Sequence, residues 1–431
     1  MATRRVRGGV GSGARLSVEL NTTRRCTMRP RSAPSPTREA AMRLPERVLM
    51  TVMPPIDALN NRMAELAAEG HDVISLGQSV PFFGPPTEMI EVVTEALSSE
   101  PRIHTYGPDA GIPELRQALA EKLGRINGID ADPGTQIVVT PGSNQAFMVA
   151  MLTMLEPGDE VAIAAPYYFN HHMAIELCGG RVVEVPTSEE DGFQLHLSDV
   201  EAAVTNRTRA IVVTSPNNPT GAVYDRAEVE RIARFAADRR IRLLSDEAYE
   251  FFGYDGASTF SPGSISGLGD TVITLGSLSK TFGMTGWRIG YMVADTEFCR
   301  QALKVQDAMA ICAPIISQVG AVAALGVIDA FTESHLAELE ARRAVLARTL
   351  DAIPDMEWMK TDGALFAFVR ANPTASGQEL AWDVLERSNV LTVPGSAFGS
   401  AWRDFVRISY GSSTRSRFEE ALRRLAAYFG I

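Results

Sequence analysis

The stretch Ser277-Leu-Ser-Lys280-Thr-Phe-Gly-Met-Thr-Gly-Trp-Arg288-Ile-Gly-Tyr291 is the most informative part of the chain. It follows an apolar strand candidate, 271–275, and places hydroxyl groups one and three residues before Lys280. Small hydroxyls donate to phosphate oxygens, and a guanidinium such as that of Arg288 binds a phosphate dianion through two hydrogen bonds. A lysine taken alone is usually a solvated surface residue, so the other motifs of the chain decide whether Lys280 has a chemical role.

Seven apolar strand candidates occur along the chain, and helical segments separate most of them. The strand candidates are 136–140, 160–164, 181–185, 209–214, 241–245, 271–275 and 289–293. The helical segments include 112–126, 144–155 and 227–239. Apolar strands that alternate with helices form a mostly parallel sheet that is covered on both faces. The sequence therefore predicts an α/β fold with this sheet in a large domain.

The pattern of predicted helices and strands changes after about Ser334. A long charged helix, 336–353, is followed by a shorter α+β segment that ends in a helix at 415–428. At the other end of the chain, the pattern at 44–70 is helical and precedes a Gly/Pro-rich loop, 77–86. These changes predict four regions. They are a basic extension at 1–42, an N-terminal helix and loop of a small domain at 43–86, a large domain at 87–325, and the small C-terminal domain at 326–431.

The composition is that of an ordinary folded chain. Of 431 residues, 45% are hydrophobic and 22% are charged, and the formal net charge of −11 disfavours nucleic acid as a partner. No apolar run is long enough to span a bilayer, because polar residues, a proline and a glycine interrupt 308–325. The four cysteines are scattered, which argues against a zinc site or a disulfide framework and favours a reducing compartment. We therefore expect a cytoplasmic protein without a metal site.

Residues 1–42 differ from the rest of the chain in charge. They contain nine arginines and two acidic residues, a net charge of +7, which leaves −18 for the remainder. Gly, Ser, Thr and Pro separate the arginines without any apolar period, which predicts disorder. The composition is also similar to that of an organelle transit peptide. The Ala/Arg/Gly-rich composition favours two simpler explanations, a basic tail or an upstream start codon with Met42 or Met50 nearer the true start.

Short polar motifs follow several of the strand candidates. They are Pro-Gly142-Ser143-Asn144, Pro-Tyr-Tyr168, Asn218-Pro-Thr-Gly and Asp246-Glu-Ala-Tyr249. A glycine turn that opens a helix favours a phosphate group, because free backbone N–H groups and the helix dipole both attract an anion. Taken singly, each motif is also explained as a turn or as a packing aromatic. Their shared position matters more, because open α/β sheets bind ligands at the carboxyl ends of their strands.

Together these motifs resemble class I/II aminotransferases, a branch of the fold-type I enzymes that use pyridoxal 5′-phosphate (PLP). The resemblance runs roughly from Leu44 to the C-terminus. It implies a seven-stranded large domain and a smaller domain made from both chain ends. It also implies a homodimer with shared active sites, and transfer of an amino group between an L-amino acid and a 2-oxo acid in a ping-pong mechanism. Lys280 would carry the cofactor and, once freed, would move a proton at the substrate Cα.

The resemblance implies one set of residues around the cofactor phosphate and another around its ring. The phosphate contacts would be Gly142, Ser143, Asn144, Ser277 and Arg288, together with Tyr106 reaching the phosphate of the neighbouring subunit. The ring contacts would be Tyr168 stacked on its face, Asn218 and Tyr249 at its oxygen, and Asp246 at its nitrogen. His171 and His172 follow Tyr168 and its neighbours, but we expect no catalytic role for them, because the freed lysine moves the proton.

The resemblance also implies where the substrate binds. Arg407, on a strand candidate in the C-terminal domain, would bind the α-carboxylate. The loop containing Ser79 and Val80 departs from the commoner Gly-Glu-Pro-Asp form, which leaves the contact of Ser79 with the carboxylate open. The loop and several other motifs are more similar to the methionine/aromatic aminotransferases. Val80, Phe82 and Phe83 would then form an apolar pocket for the substrate side chain.

Three alternatives stay open at this point. The same residues serve cysteine-conjugate β-lyases. A PLP-binding regulatory module would need a DNA-binding domain, and 42 residues that are predicted to be disordered do not form one. A degenerate, non-catalytic protein is disfavoured because the motif residues are intact.

Overall fold

The computed structural model describes residues 44–371 and 376–431, so the predictions for residues 1–42 lie outside the described residues. The strands are β1 (Ile74–Ser75), β2 (Ile137–Thr140), β3 (Glu160–Ala165), β4 (Arg181–Pro186), β5 (Thr208–Thr214), β6 (Arg242–Asp246), β7 (Val272–Ser277), β8 (Gly290–Val293), β9 (Met356–Glu357), β10 (Phe366–Ala371), β11 (Val390–Leu391), β12 (Val393–Pro394) and β13 (Phe405–Ser409). The helices are α1 (Glu46–Met50), α2 (Ile56–Ala68), α3 (Thr87–Ser99), α4 (Pro113–Lys122), α5 (Ser143–Met154), α6 (Phe169–Leu177), α7 (Leu197–Ala203), α8 (Arg226–Arg239), α9 (Leu278–Thr281), α10 (Thr296–Ala310), α11 (Ile315–Gly326), α12 (Ile328–Asp351), α13 (Gly377–Ser388) and α14 (Arg415–Tyr428).

A seven-stranded sheet is the centre of the fold, with the strand order β2-β8-β7-β6-β5-β3-β4. β8 is antiparallel to both of its neighbours, and the other neighbouring pairs are parallel. The strands inside the sheet are almost entirely buried, whereas the edge strand β4 is half exposed. All seven strand candidates belong to this sheet, so the predicted α/β class and the mostly parallel sheet are confirmed.

Helices cover the sheet through three hydrophobic clusters. Side chains of α3, α4 and α11 share one cluster with β2 and β8. Those of α5, α6 and α10 pack in a second cluster with the central strands, and those of α7 and α8 in a third. The inner strands are mainly apolar because both of their faces are buried in this way.

A second, antiparallel sheet has the order β12-β13-β10-β9 and packs against α12 and α14. β1 pairs with β11 in a separate two-stranded parallel sheet, which connects residue 74 of the N-terminal part to residue 390 of the C-terminal part. By its internal contacts, the segment Glu46–Ile431 forms one compact unit. The boundaries between the large and the small domain therefore stay a prediction.

The helical pattern at 44–70 is divided in the structure into α1 and α2, so the prediction of a single helix was wrong. The break falls at Thr51–Pro55 and contains Pro54 and Pro55. A proline has no backbone N–H and restricts the preceding residue, so two of them end one helix and start the next. Ile56 is consequently the first residue of α2.

Among the described residues, no single helix is long and apolar enough to cross a bilayer. α11 and α12 meet that test only as a pair, and the two helices are bent by 78° at the break between them.

Candidate active site

A cavity of about 340 Å³ lies at the carboxyl edge of the seven-stranded sheet. Thr214, Asp246 and Ser277 are the last residues of β5, β6 and β7, and all three line it. Parallel pairing places them side by side, since Thr214 is the register partner of Asp246. The other lining residues are Ile56, Asn60, Gly77, Gln78, Ser79, Val80, Ser143, Asn144, Tyr168, Phe169, Asn218, Ala248, Tyr249, Ser279, Lys280, Thr285, Arg288 and Arg407. Of the predicted site residues, Gly142, Tyr106, Phe82 and Phe83 do not line the cavity.

Lys280 lies in the short helix α9, directly after β7. Its Nζ donates to the carbonyl oxygen of Ser79. Burial, followed by the positive charges of Arg407 and Arg288, lowers the Lys280 pKa to about 8. An amine with this pKa is largely neutral just above physiological pH, and a neutral amine acts as a nucleophile or a base.

The start of α5 and Arg288 form the second part of the site. Gly142 precedes α5 with a φ of +84°, a conformation that glycine adopts at low cost. A Cβ at this position would lie 2.3 Å from Nη2 of Arg288, so only glycine lets the guanidinium approach the helix start. Arg288 donates to the carbonyl oxygens of Thr285 at 2.9 Å and of Pro141 at 3.4 Å. Free N–H groups and a guanidinium thus converge where an anion would bind.

Asp246 has a partner that the sequence analysis did not assign. Nε2 of His171 lies 3.1 Å from Oδ2 of Asp246, and both side chains are buried. The backbone N–H of Ala248 donates to Oδ1 of Asp246 at 3.1 Å. His171 itself stacks on Phe147, with ring centroids 4.0 Å apart. His171 therefore holds the carboxylate rather than facing the cavity, and its distance in sequence from Asp246 gave no signal of that contact.

Tyr168 extends into the cavity from the residue before α6. Its hydroxyl accepts hydrogen bonds from Nδ2 of Asn170 at 2.8 Å and from Nδ2 of Asn144 at 3.4 Å. Burial raises the pKa of Tyr168, so the hydroxyl stays neutral. Tyr249 is also buried, and burial raises its pKa in the same way.

Arg407 reaches the cavity from β13 of the second sheet. Nη1 donates to Oδ1 of Asn218 and Nη2 donates to the carbonyl oxygen of Gly77, both at 2.7 Å. Nε of Arg407 is buried without a hydrogen-bond partner. Burial lowers the pKa of Arg407 to about 10, but the side chain stays charged at neutral pH. The peptide bond between Asn218 and Pro219 is cis.

The apolar pocket predicted from the loop was only partly right. Val80 lines the cavity, whereas Phe82 and Phe83 do not. The Arg342 guanidinium lies 4.0 Å from the ring centre of Phe82, and His335 lies 4.0 Å from that of Phe83. Both phenylalanines pack beside the core of the second sheet. Phe331, His335 and Arg342 of α12 surround the two rings there.

The structure adds several lining residues that sequence analysis did not assign. Ile56 and Asn60 lie four residues apart on α2, which places them on the same face of that helix. Oδ1 of Asn60 is buried without a hydrogen-bond partner. Phe169 adds a ring beside Tyr168, with centroids 5.0 Å apart. The spacing of Ile56 and Asn60 was visible in the sequence, but nothing there indicated which face of α2 meets the cavity.

Comparison with known proteins agrees with this geometry. The family model for aminotransferase class I and II matches residues 71–425. The chain belongs to the class I and II aminotransferases. The aromatic-amino-acid aminotransferase 2 of Thermococcus litoralis and the aspartate aminotransferase of Pyrococcus abyssi are each 38% identical to it, over 84% of this chain and 93% of theirs.

Solved structures of the same family are similar over most of the chain. A double mutant of the Thermus thermophilus aspartate aminotransferase matches with a TM-score of 0.84 and 35% identity, over 90% of this chain and all of the other. The aromatic aminotransferase from Pyrococcus horikoshii matches with a TM-score of 0.79 and 37% identity, over 85% and 98%. The fold is therefore that of a fold-type I enzyme.

Membership in this family makes the protein a transferase of amino groups that uses PLP, with an amino acid and a 2-oxo acid as substrates. The cavity fits PLP. The glycine turn before α5 and Arg288 offer a place for the phosphate, and Lys280 offers an amine of lowered pKa for the aldehyde. Asp246 offers a buried carboxylate whose position His171 fixes.

Proposed function

We propose that this aminotransferase takes its amino group from an L-amino acid with an apolar side chain, methionine or an aromatic amino acid, and passes it to a 2-oxo acid in a ping-pong reaction. One observation carries the substrate preference. Among the described residues, the cations that line the cavity are Lys280, Arg288 and Arg407. Each has a task in the proposal, so a second carboxylate on the substrate would face only uncharged or acidic groups of this chain.

The uncharged residues that line the cavity favour an apolar substrate side chain. Ile56, Val80 and Phe169 contribute hydrocarbon surface, and Asn60 contributes an uncharged amide. Burying an ionised carboxylate against such groups is expensive unless a cation accompanies it. An apolar pocket separates similar side chains by only about 1–3 kcal/mol, so methionine and aromatic substrates should overlap.

The residues around the cofactor divide between its phosphate and its ring. Gly142, Ser143, Asn144, Ser277 and Arg288 would hold the phosphate, because donors and positive charge converge at the start of α5. Tyr168 would stack on the ring, and Asn218 and Tyr249 would donate to its oxygen. When bound, PLP supplies an electron sink that stabilises negative charge at the substrate Cα.

Asp246 and Lys280 would carry the chemical roles. The Asp246 carboxylate, fixed by His171 and by the N–H of Ala248, would keep the ring nitrogen protonated. Lys280 would bind the cofactor and then move the proton at Cα, and its lowered pKa favours the neutral amine that this step needs. Arg407 would bind the α-carboxylate through its fork of N–H groups, while Ser79 and Val80 would border the substrate.

Tyr106 supports a homodimer with shared active sites. Its side chain is 80% exposed and lies outside the cavity of its own chain. Its ring is therefore accessible to a second chain. We propose that Tyr106 reaches the phosphate site of a second copy, as the family resemblance implies.

Absorbance of the PLP-loaded enzyme, followed after mixing with single amino acids, tests the proposal. Methionine and phenylalanine should convert the bound cofactor and release their 2-oxo acids without any acceptor present, as a ping-pong reaction requires. Their kcat/KM should exceed that of aspartate by about tenfold or more. A faster reaction with aspartate would contradict the apolar preference. Release of ammonia and pyruvate from a cysteine conjugate would identify a β-lyase instead.

A further inference from the structure

The turn that follows β6 carries two pairs of functional side chains on opposite sides. Asp246 and Tyr249 line the active-site cavity. Glu247 and Glu250 line a separate polar cavity of about 350 Å³. The layer between the two cavities is one residue thick at β5 as well, since Thr214 borders the first and Ser215 the second. Neighbouring residues of the chain therefore separate the two cavities at both places.

Glu247 is held by a dense set of donors. Ser245 donates to its Oε1 at 2.8 Å, and Ser261 donates to Oε1 at 2.7 Å and to Oε2 at 2.9 Å. Nδ2 of Asn127 donates to Oε2 at 3.2 Å. The side chain is only 4% exposed, so these contacts replace water.

Glu250 shares the same cluster. Nδ2 of Asn127 donates to its Oε2 at 2.8 Å, and Nζ of Lys122 donates to its Oε1 at 2.5 Å. Lys122 also donates to the hydroxyl of Tyr291 on β8 at 3.1 Å. Asn127 ends a π-helical turn, Leu123–Asn127, that directly follows α4. Such turns are rare and occur preferentially at functional positions.

The cluster holds two carboxylates and one ammonium. Arg125 and Arg226 also border this cavity, but they pair with Asp329 and Glu230 at the surface. Burial alone lowers the pKa of Lys122, but Glu250 and Tyr291 more than offset this, so its pKa is raised and it stays charged.

With Glu247 and Glu250 both ionised and Lys122 charged, the cluster would carry one negative charge in excess. Burial, and then the charge of Glu250, raise the pKa of Glu247 to about 7. Glu247 thus keeps a proton in the folded chain where an unfolded carboxyl has lost it. The resulting contribution to stability is full below the ordinary carboxyl pKa and is lost as the pH rises to about 7.

Backbone hydrogen bonds connect this cluster to the active-site side of the turn. The N–H of Glu247 donates to the carbonyl oxygen of Leu275 on β7 at 2.9 Å. The N–H of Glu250 donates to the carbonyl oxygen of Glu247 at 3.1 Å, and the N–H of Ala248 to Oδ1 of Asp246 at 3.1 Å. These bonds tie the backbone of Glu247 to the segment that carries Asp246 and Tyr249.

We propose that Lys122, Asn127, Glu247 and Glu250 are positioning residues, and that the charge balance of their cluster sets the placement of Asp246 and Tyr249 against the cofactor. The inference rests on the proposed contacts of Asp246 and Tyr249 with PLP. Loss of the Glu247 proton leaves two carboxylates that repel each other beneath the turn. This repulsion displaces Asp246 and Tyr249 and weakens the binding of PLP. The cluster thus couples the pH of the medium to cofactor retention without touching the cofactor.

The rate at which the loaded enzyme loses PLP on dilution, measured between about pH 6 and about pH 8, tests this coupling on either side of the Glu247 pKa of about 7. We expect the wild-type rate to rise by about fivefold or more across this range, the size of a typical coupling between sites. Glu247→Gln imitates the protonated side chain, so its rate should change much less with pH. Equal pH dependence in both chains would overturn the proposal. Because wild type and Glu247→Gln both contain Lys280, any pH dependence that Lys280 causes is the same in both and cancels when their rates are compared.

A charge-rescue pair separates charge balance from packing. Lys122→Met leaves the carboxylates without their ammonium and should speed PLP loss by about tenfold or more. Glu250→Gln added to Lys122→Met removes one carboxylate and should bring the rate back towards wild type. Without such rescue in folded protein, the proposal is wrong.

Glu160→Gln is the matched control, because Glu160 is equally buried but lies at the opposite end of a strand, where Thr205 and Arg207 bind it. It should lower stability and leave the rate of PLP loss unchanged. An equal effect of Glu160→Gln would show that any buried carboxylate matters and would overturn the proposal. If the wild-type chain neither holds PLP nor transfers amino groups, the proposed function fails. If it does both and the cluster variants lose PLP as wild type does, only this inference fails.

Discussion

Two walls of the active-site cavity differ in their construction. The first is the carboxyl edge of the seven-stranded sheet, where Asp246, Ser277 and Lys280 follow strands whose register the backbone fixes. The second consists of α2 and the loop after β1, which bring Ile56, Asn60 and Val80 from far away in the sequence.

The first wall carries charge and the second wall is neutral. The difference indicates that the reaction and the choice of substrate belong to separate parts of the chain. Reaction chemistry needs groups held to within a fraction of an ångström, which strand ends provide. Selectivity for an apolar side chain needs surface of the right shape, which a helix face and a loop provide equally well. Changes on the first wall should therefore abolish turnover, and changes on the second should redirect it.

Lys280→Ala should have the largest effect, because it removes both the attachment point of the cofactor and the proposed base. We expect kcat with phenylalanine to fall by more than about 10³-fold, since a positioned base alone contributes about 10²–10⁴-fold. Absorbance should still report PLP that is held by the phosphate contacts. Turnover close to wild type would show that the first wall does not carry the reaction.

The pH dependence of PLP capture sharpens the assignment of Lys280. The neutral amine reacts with an aldehyde, and it predominates above the Lys280 pKa of about 8. Capture by the chain stripped of cofactor should therefore rise with pH and level off above about pH 8. A model amine such as Nα-acetyl-lysine should continue to gain rate up to the ordinary lysine pKa near 10.5. A protein rate that follows the model amine would mean that Lys280 is not in the buried, positively charged surroundings described above.

Ile56→Lys tests whether the second wall selects the substrate. A cation at this position would face a second substrate carboxylate, and such a pair at a partly exposed site gains about 1 kcal/mol or more. The ratio of kcat/KM for aspartate to that for phenylalanine should rise by about tenfold, while kcat with phenylalanine stays within a few-fold. Ile56→Met, which keeps the wall neutral, is the control. If Ile56→Lys leaves the ratio of kcat/KM values unchanged, the substrate side chain binds away from Ile56.

Phe82→Ala should have the smallest effect on the reaction, although Phe82 lies two residues after Val80. Its ring packs on Arg342 and Phe83 outside the cavity, so its removal should lower the free energy of unfolding by about 2–3 kcal/mol. Urea unfolding measures this loss. The preference for phenylalanine over aspartate should stay within about twofold of wild type. A larger change would mean that Phe82 contributes to substrate selection after all.

Much of the first wall could be predicted from the sequence because its signals are local. Alternating apolar strands and helices predicted the sheet, and Lys280, Asp246 and Asn144 each lie within the five residues that follow one of those strands. The second wall could not be predicted in the same way. Phe82 and Phe83 are apolar residues of the kind that line substrate pockets, but in the structure they pack against α12 instead. The helical pattern at 44–70 is divided by Pro54 and Pro55, which separate α1 from α2.

The sequence by itself determined the order of the strands along the chain, the family, the cofactor and the residues at the strand ends, because neighbours in sequence stay neighbours at a strand end. Only the tertiary structure decided that His171 supports Asp246, and that Lys122 and Glu250 meet behind the same turn, 128 residues apart. Those contacts join separate helices and strands. Their partners are chosen by the packing of helices on the sheet, which no local pattern of residues records.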